Sequence, residues 1–259
     1  MKILKFLLVG LIISPLALSA QKFQVGPRIG PLLSFNNFGD NEARESFDTF
    51  IKPGFIAGVM VGFPLKDNFS FVVDANYAQK GRTLLFYERA WKNSVTHNHL
   101  EGSMLVRKAF DFEFSKGVPG KAFVNIGPNV SYLLGGSGSV STVAVTQRYT
   151  IVFNELPTAD FTKMYYNNFN RWMFGLDVGA GFSAPVSKDH QLLTELRFLF
   201  GHTYFGQEDS SYIDLLGFID NMKANYRVIS ISLTYVIEQD LKNNRKGKST
   251  LNRRLKKIQ

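Results

Sequence analysis

Cysteine is absent from the 259 residues of this sequence. Disulfide bonds, thiol catalysis and thiolate metal sites are therefore excluded, and a mature end anchored through a lipidated cysteine is not expected. Beyond residue 20 the sequence also lacks any apolar run of about 18 residues, the length that a membrane helix requires. A closed β-barrel is the other structure that satisfies its backbone hydrogen bonds in lipid.

The first twenty residues have the composition of a secretory signal. Lys2 and Lys5 supply the positive charge, residues 3–18 form the apolar stretch, and small residues precede a cleavage site near Gln21. We therefore predict a signal peptide over residues 1–20 and an exported protein.

The net charge of the chain is +9, but the central part of the sequence, which we call the body, is not basic. Residues 21–238 hold 20 basic and 20 acidic residues, and the excess lies in a C-terminal tail, residues 239–259, which carries +7. Nucleic acid is therefore not an expected partner of this exported chain. The basic residues of the tail are Lys242, Arg245, Lys246, Lys248, Arg253, Arg254, Lys256 and Lys257.

Eight segments of the body show the two-residue alternation that is typical of β-strands. The last segment is the clearest, since apolar residues at 229, 231, 233, 235 and 237 alternate with Ser230, Ser232 and Thr234. In several other segments, glycine and charged residues share the polar face. Small residues opposite long charged ones fit the narrow interior of an eight-stranded barrel.

The connections between these segments alternate between short and long. Tight turns at one end and long loops at the other are typical of outer-membrane barrels, whose short turns face the periplasm. We predict an all-β fold over residues 21–238, an eight-stranded antiparallel up-and-down transmembrane β-barrel of a Gram-negative outer membrane with both termini in the periplasm. Residues 140–153 could extend the wall above the membrane or add two strands to a ten-stranded barrel. The short turns are predicted at 66–68, 115–121 and 187–190, and the long extracellular loops at 37–52, 82–98, 135–170 and 203–225.

Several short motifs are spread over nearly the whole body. They are Lys52-Pro53-Gly54-Phe55 with Gly58 and Pro64-Leu65, Tyr77-Ala78-Gln79-Lys80-Gly81, Leu100-Glu101, Gly127 with Tyr132-Leu133-Leu134-Gly135, and Asp177-Val178-Gly179-Ala180-Gly181. In these motifs the sequence resembles the PorT-like outer-membrane β-barrel proteins of Bacteroidota. The chain departs from that pattern at Gly102 and Ser103, where an Ile-Pro pair is usual, and in its tail. The resemblance implies an integral outer-membrane barrel from a family with mostly unassigned roles and some members tied to protein secretion.

The candidates for chemistry are His97, His99, Glu101 and Ser103, which alternation places on one face near the outer rim. A histidine base, an orienting carboxylate and a serine nucleophile would suit a lipid hydrolase or acyltransferase, whereas two histidines and a glutamate could ligate zinc. The favoured interpretation has both histidines solvated at the rim and Glu101 paired in the lumen, because strand residues two apart lie about 6.5–7 Å from each other. It predicts no catalytic residue, no metal and no cofactor.

Eight charged residues are predicted to face the lumen, four basic and four acidic. Buried charges require partners, so the balance favours a salt-bridged network over a selective channel, whose wall would favour one sign. These residues are Arg28, Asp74, Lys80, Glu101, Arg107, Asp177, Glu195 and Arg197.

The tail leaves two interpretations open. It is either a disordered periplasmic stub or, because Leu251, Leu255 and Ile258 have helix-like spacing among basic residues, a segment that contacts a periplasmic protein, peptidoglycan or anionic lipid. The favoured function is a non-enzymatic structural or accessory component of the cell envelope in contact with outer-membrane lipid, with a secretion assembly as one setting. A rim-sited hydrolase or acyltransferase is the alternative. A soluble lipid-binding barrel is disfavoured by the outward apolar faces of several segments.

Overall fold

The computed structural model describes residues 22–39, 41–86, 91–115, 118–156, 160, 162–206, 211–212 and 222–240. The predicted signal peptide and residues 241–259 of the tail lie outside the described residues. None of the described helices is long and apolar enough to cross a membrane. In chain order the elements are β1 (Lys22–Phe38), α1 (Asn41–Ser46), β2 (Phe47–Phe50), β3 (Lys52–Pro64), β4 (Phe69–Phe86), β5 (Trp91–Ser115), β6 (Val118–Ser141), β7 (Thr146–Phe153), β8 (Lys163–Tyr166), β9 (Trp172–Ser187), β10 (His190–Gly201), β11 (Ser211–Tyr212) and β12 (Ala224–Asp240).

Eight of these strands close into a ring in the order β1, β3, β4, β5, β6, β9, β10, β12. Every neighbouring pair in the ring is antiparallel, and the ring closes between the first and last strands, where Arg28 lies opposite Thr234. The prediction of an eight-stranded antiparallel barrel is therefore confirmed. The last strand continues to Asp240, two residues into the segment predicted as tail.

The side chains of the ring strands alternate between the outer wall and the lumen. Along β1, Ile29 is 62% exposed and Arg28 only 3%. Along β12, Ile231 and Leu233 face outward while Ser232 is buried. This alternation places apolar residues on the wall that faces lipid and polar residues in the lumen, as a transmembrane barrel requires.

Short turns join the strands at one end of the barrel, which we call the turn end. In the turn between β3 and β4, Asp67 and Asn68 have φ values of 58° and 59°, a left-handed conformation that Asp and Asn tolerate better than most residues. The turn between β9 and β10 is formed by residues 188–189. β5 continues to Ser115 and β6 begins at Val118, so both strands run into the segment 115–121 that was predicted as a turn.

At the opposite end, the loop end, the strands extend much further than predicted. Within 82–98, predicted as a loop, all of the described residues lie in β4 or β5, and Arg82 lies opposite Val95. The prediction was wrong because the inward positions here mix Arg82, Leu84, Val95 and His97, so that neither face is uniformly apolar or polar.

The third predicted loop, residues 135–170, also contains strands. β7 pairs with β6, β8 pairs parallel to β7, and β11 pairs with β8, while β2 pairs with the upper part of β4. These strands leave the ring of eight intact. Of the two expectations for residues 140–153, the structure shows the extension of the wall rather than a ten-stranded ring.

Two apolar groups close the lumen on either side of its polar middle. The upper group, at the loop end, packs around Leu32, Met173, Leu199, Phe205 and Tyr226. Each large apolar side chain that is fully buried contributes about 1.5–3 kcal/mol to stability. The lower group, at the turn end, consists of Met60, Val72, Leu105, Phe123, Leu193 and Val236.

Candidate functional site: the lumen and its two ends

Arg197 lies at the centre of a network of ion pairs in the middle of the lumen. Its guanidinium is 2.7 Å from Asp74, 3.5 Å from Asp177 and 2.5 Å from Glu195. All members of the network are at most 5% exposed. The network carries three basic and three acidic groups and therefore has no net formal charge. Its members are Arg28, Asp74, Arg107, Asp177, Glu195 and Arg197.

Two further arginines join the network from other strands. Arg28 of β1 contacts Asp74 of β4 at 2.7 Å and Glu195 of β10 at 3.6 Å. Arg107 of β5 reaches Glu195 at 3.3 Å. The contacts cross the lumen between strands that are not neighbours in the ring, so the network ties opposite sides of the wall together.

Asp177 is held in the network by neutral groups as well as by Arg197. Ser103 donates a hydrogen bond to its carboxylate at 2.6 Å, and Asn129 donates one at 3.2 Å. Gly179, two residues further along β9, leaves room for the side chains of Glu195 and Asn125, because a Cβ there would lie 3.2 Å from Glu195 Oε1 and 2.5 Å from Asn125 Oδ1. Gly179 and Asp177, which share the inward face of β9, therefore belong to the same packing arrangement.

A second ion pair lies nearer the loop end, between Lys80 and Glu101. With this pair, the structure places all eight of the predicted charged residues inside the lumen and gives each an oppositely charged neighbour. A void of about 10 Å³ beside Lys80, Asn129 and Tyr226 has room for about one water molecule.

His97 is enclosed by aromatic side chains above the Lys80 and Glu101 pair. Its Nδ1 is 2.5 Å from the hydroxyl of Tyr226, and its Nε2 is 3.1 Å from the hydroxyl of Tyr166. The rings of Phe169 and Phe205 also contact it, with centroids 6.3 and 6.1 Å away. Both ring nitrogens therefore have hydroxyl partners.

His99 lies deeper and is equally buried. Its ring packs edge-on against Tyr226 and His97, with centroid distances of 5.8 and 6.2 Å. Neither ring nitrogen has a hydrogen-bond partner among the described residues. The expectation that both histidines are solvated was wrong, because the loop-end strands and loops fold over the positions that the sequence placed at the rim.

The four candidates for chemistry share one inward face of β5, as alternation predicted, but they bond to different partners. Ser103 donates to Asp177, His97 meets two tyrosines, and Glu101 pairs with Lys80. The side chains are therefore not linked as nucleophile, base and orienting acid, the arrangement that acyl transfer requires. Among the described residues, no group of three His, Asp or Glu side chains is arranged to hold a metal ion.

An aromatic stack above His97 covers the lumen at the loop end. The rings of Tyr166 and Phe169 stack 4.8 Å apart at 20°, and those of Phe169 and Phe205 lie 6.0 Å apart at 10°. Phe205 in turn contacts Tyr226, with centroids 4.7 Å apart. This aromatic cap is formed by loop residues together with β8 and β12, and the sequence did not predict it.

Arg82 is a further buried charge that sequence reasoning missed. Its guanidinium lies 5.4 Å from the Phe205 ring centroid and donates a hydrogen bond to the sulfur of Met222 at 3.0 Å. Alternation could have identified this residue, because Arg82 lies two residues after the inward-facing Lys80. The predicted loop over 82–98 excluded it from the strand.

The turn end is open and contains two adjoining cavities. The smaller, of about 210 Å³, lies over the lower apolar group and is lined by Lys22, Arg107 and Glu238 among others. The larger, of about 540 Å³, is the turn-end cleft, defined by residues of the β5–β6 hairpin and of the adjoining β9–β10 hairpin. Its lining includes Asp111, Phe112, Glu113, Pro119, Lys121 and Pro185.

A family model described as an outer membrane protein beta-barrel domain matches residues 19–203. The chain belongs to this family. It is accordingly an integral outer-membrane β-barrel protein of the Gram-negative envelope. No curated protein shows significant similarity to the sequence.

Three solved outer-membrane proteins are similar to this chain at low sequence identity. OprG from Pseudomonas aeruginosa has a TM-score of 0.50 at 8% identity, with 84% of this chain and 95% of that chain covered. The Neisserial surface protein NspA has a TM-score of 0.38 at 15% identity, with 83% and 96% covered. Ail of Yersinia pestis has a TM-score of 0.34 at 9% identity, with 83% and 98% covered. At these identities the similarity concerns the fold alone.

Proposed function

We propose that this family member is a sealed, non-enzymatic barrel with a structural or accessory role in the cell envelope. The observation that carries the proposal is the filled lumen, in which a neutral network of buried ion pairs lies between two apolar groups. A conducting pore needs a continuous polar path, and selectivity needs a wall that favours one sign of charge. The lumen has neither property in the part of the chain that the structure describes.

Planar-bilayer recording tests the seal. The purified protein is expected to give no sustained single-channel steps. A variant that combines Phe123→Ala and Phe205→Ala lacks a large side chain in each apolar group and is expected to conduct. Channel steps from this variant serve as the positive control for insertion into the bilayer. Sustained steps from the unmodified protein would refute the sealed barrel.

The hydrolase or acyltransferase alternative is tested at the buried face of β5. Ser103→Ala and His99→Ala variants are expected to leave phospholipid and lipid A profiles of the outer membrane unchanged. Heat-modifiable mobility of unboiled samples would verify that each variant is folded. A changed lipid profile in a folded variant would establish the enzymatic alternative instead.

We further propose that the turn end faces the periplasm, which the short turns support. An epitope inserted at Asp189 is then expected to be hidden from antibody on intact cells, while one inserted at Val143, which is 94% exposed beyond β6, is accessible. Antibody labelling of the epitope at Asp189, without labelling at Val143, would show that the barrel has the opposite orientation.

With this orientation, the basic tail would lie in the periplasm and contact a partner there. The resemblance to PorT-like proteins favours a protein partner of a secretion assembly over peptidoglycan or anionic lipid. Pulldown with the full chain and with a chain ending at Asp240 tests this, with purified sacculi and anionic vesicles as separate arms. Proteins recovered only with the full chain would support the proposal, and retention by sacculi or vesicles alone would contradict it.

A further inference from the structure

The β5–β6 hairpin projects beyond the rest of the ring at the turn end. β5 pairs with β4 only as far as Lys108, opposite Phe69, and β6 pairs with β9 only as far as Lys121, opposite Ser183. The two strands nevertheless continue to pair with each other to Ser115. The turn-end cleft is the hollow between this projecting hairpin and the β9–β10 hairpin.

The lining of the cleft combines free carboxylates with apolar surface. Asp111 and Glu113 are exposed, and neither forms an ion pair with a described residue. Phe112 and two prolines supply apolar surface beside them. With Lys121 as the basic group in the lining, the cleft has an excess of one negative charge. Such a surface fits a chain that carries basic side chains interspersed with aliphatic ones.

The tail has this composition and starts at the same end of the barrel. β12 ends at Asp240, and Glu238 lines the small cavity that adjoins the cleft. Residues 241–259 contain eight basic and no acidic residues, together with Leu251, Leu255 and Ile258. The nine residues from 241 to 249 extend up to about 30 Å, whereas the mouth of an eight-stranded barrel is about 15 Å across. The tail is therefore long enough to reach the cleft.

We propose that residues 241–259 bind in the turn-end cleft of their own barrel. The lysines and arginines of the tail lie against Asp111 and Glu113, and its leucines pack on Phe112 and the prolines. This inference goes beyond the proposed function, because it assigns the tail a binding surface on the barrel itself.

The absence of cysteine allows a direct cross-linking test in the full chain. Ser249→Cys is combined with Pro185→Cys at the cleft or, in the matched control, with Leu65→Cys on the opposite flank of β12. The two positions lie on opposite sides of β12, each two strands away. Pro185 of β9 pairs with Gln191 of β10, which pairs with β12; Leu65 follows β3, which pairs with β1, and β1 pairs with β12. A tail without a preferred site would reach both equally.

Disulfide formation is expected to be about fivefold faster at Pro185→Cys than at Leu65→Cys, the ratio that about 1 kcal/mol of preference gives. Adding Asp111→Lys and Glu113→Lys is expected to abolish this difference. Equal rates in the background with native carboxylates would overturn the inference, and so would cross-links from Ser249→Cys to another polypeptide in place of the barrel. Heat-modifiable mobility identifies folded variants before rates are compared.

Discussion

Arg28 and Asp74 contact each other at 2.7 Å in the centre of the barrel, although their strands, β1 and β4, are separated in the ring by β3. Their side chains are 1% and 0% exposed. Asp74 also accepts a hydrogen bond from Arg197 of β10 at 2.7 Å, so one carboxylate balances two guanidinium groups, and its contact with Arg197 spans the lumen. In a buried position such a charge stabilises the fold only while its partners remain.

Asp74→Asn is therefore expected to destabilise the barrel by about 3–5 kcal/mol, because it leaves buried arginine charge uncompensated. The free energy of unfolding is measured by urea titration of the protein in lipid vesicles. Asp189→Asn, in the exposed turn between β9 and β10, is the matched control. Equal unfolding midpoints for the two variants would show that the network does not stabilise the barrel.

The pair formed by Lys80 and Glu101 allows a double-mutant cycle. Glu101→Met alone is expected to cost about 3–5 kcal/mol, whereas the combination of Lys80→Met and Glu101→Met costs much less, because no unpaired charge remains buried. Unfolding free energies of the native chain, both single variants and the double variant measure the coupling. Additive losses would mean that the two side chains do not depend on each other.

The two-residue period explains why the barrel and its lumen charges could be predicted from sequence. In a strand the period alone decides which side chains share a face, so Asp177 and Glu195 could be assigned to the lumen without knowledge of the register. The same reasoning places His97, His99, Glu101 and Ser103 on one face of β5, but it contains no information about their partners.

Contacts made by loops could not be predicted, because they depend on packing between segments that are distant in sequence. The partners of His97 are Tyr166 and Tyr226, 69 and 129 residues away. Phe169 and Phe205 likewise come from loops without a two-residue period. The burial of the two histidines therefore depends on loop packing that local pattern does not encode.

The hydroxyl of Tyr226 provides a test of the aromatic cap. Tyr226→Phe keeps the ring contacts with Phe205 but leaves Nδ1 of His97 without its hydroxyl partner, and we expect a cost of about 1–3 kcal/mol. Hydrogen exchange at β7 and β8 is expected to rise, since Tyr166 of β8 shares the same histidine. Tyr204→Phe, at a position 41% exposed, is the control. Unchanged exchange in Tyr226→Phe would mean that the cap does not depend on this hydrogen bond.

Gly127 and Gly135 of the same strand, β6, test how closely the wall is packed. A Cβ at Gly127 would overlap the carbonyl oxygen of Met104 on the neighbouring strand, whereas a Cβ at Gly135 would meet nothing within 4 Å. Gly127→Ala is therefore expected to destabilise the barrel by about 1–3 kcal/mol through overpacking, and Gly135→Ala to be neutral or to stabilise it by up to about 1 kcal/mol through the lower entropy of the unfolded chain. Urea titration in vesicles measures both. Because β-propensity favours alanine over glycine equally at the two sites, a loss of stability at Gly127 alone isolates the contact between strands, and similar values at both positions would mean that β6 can move away from Met104.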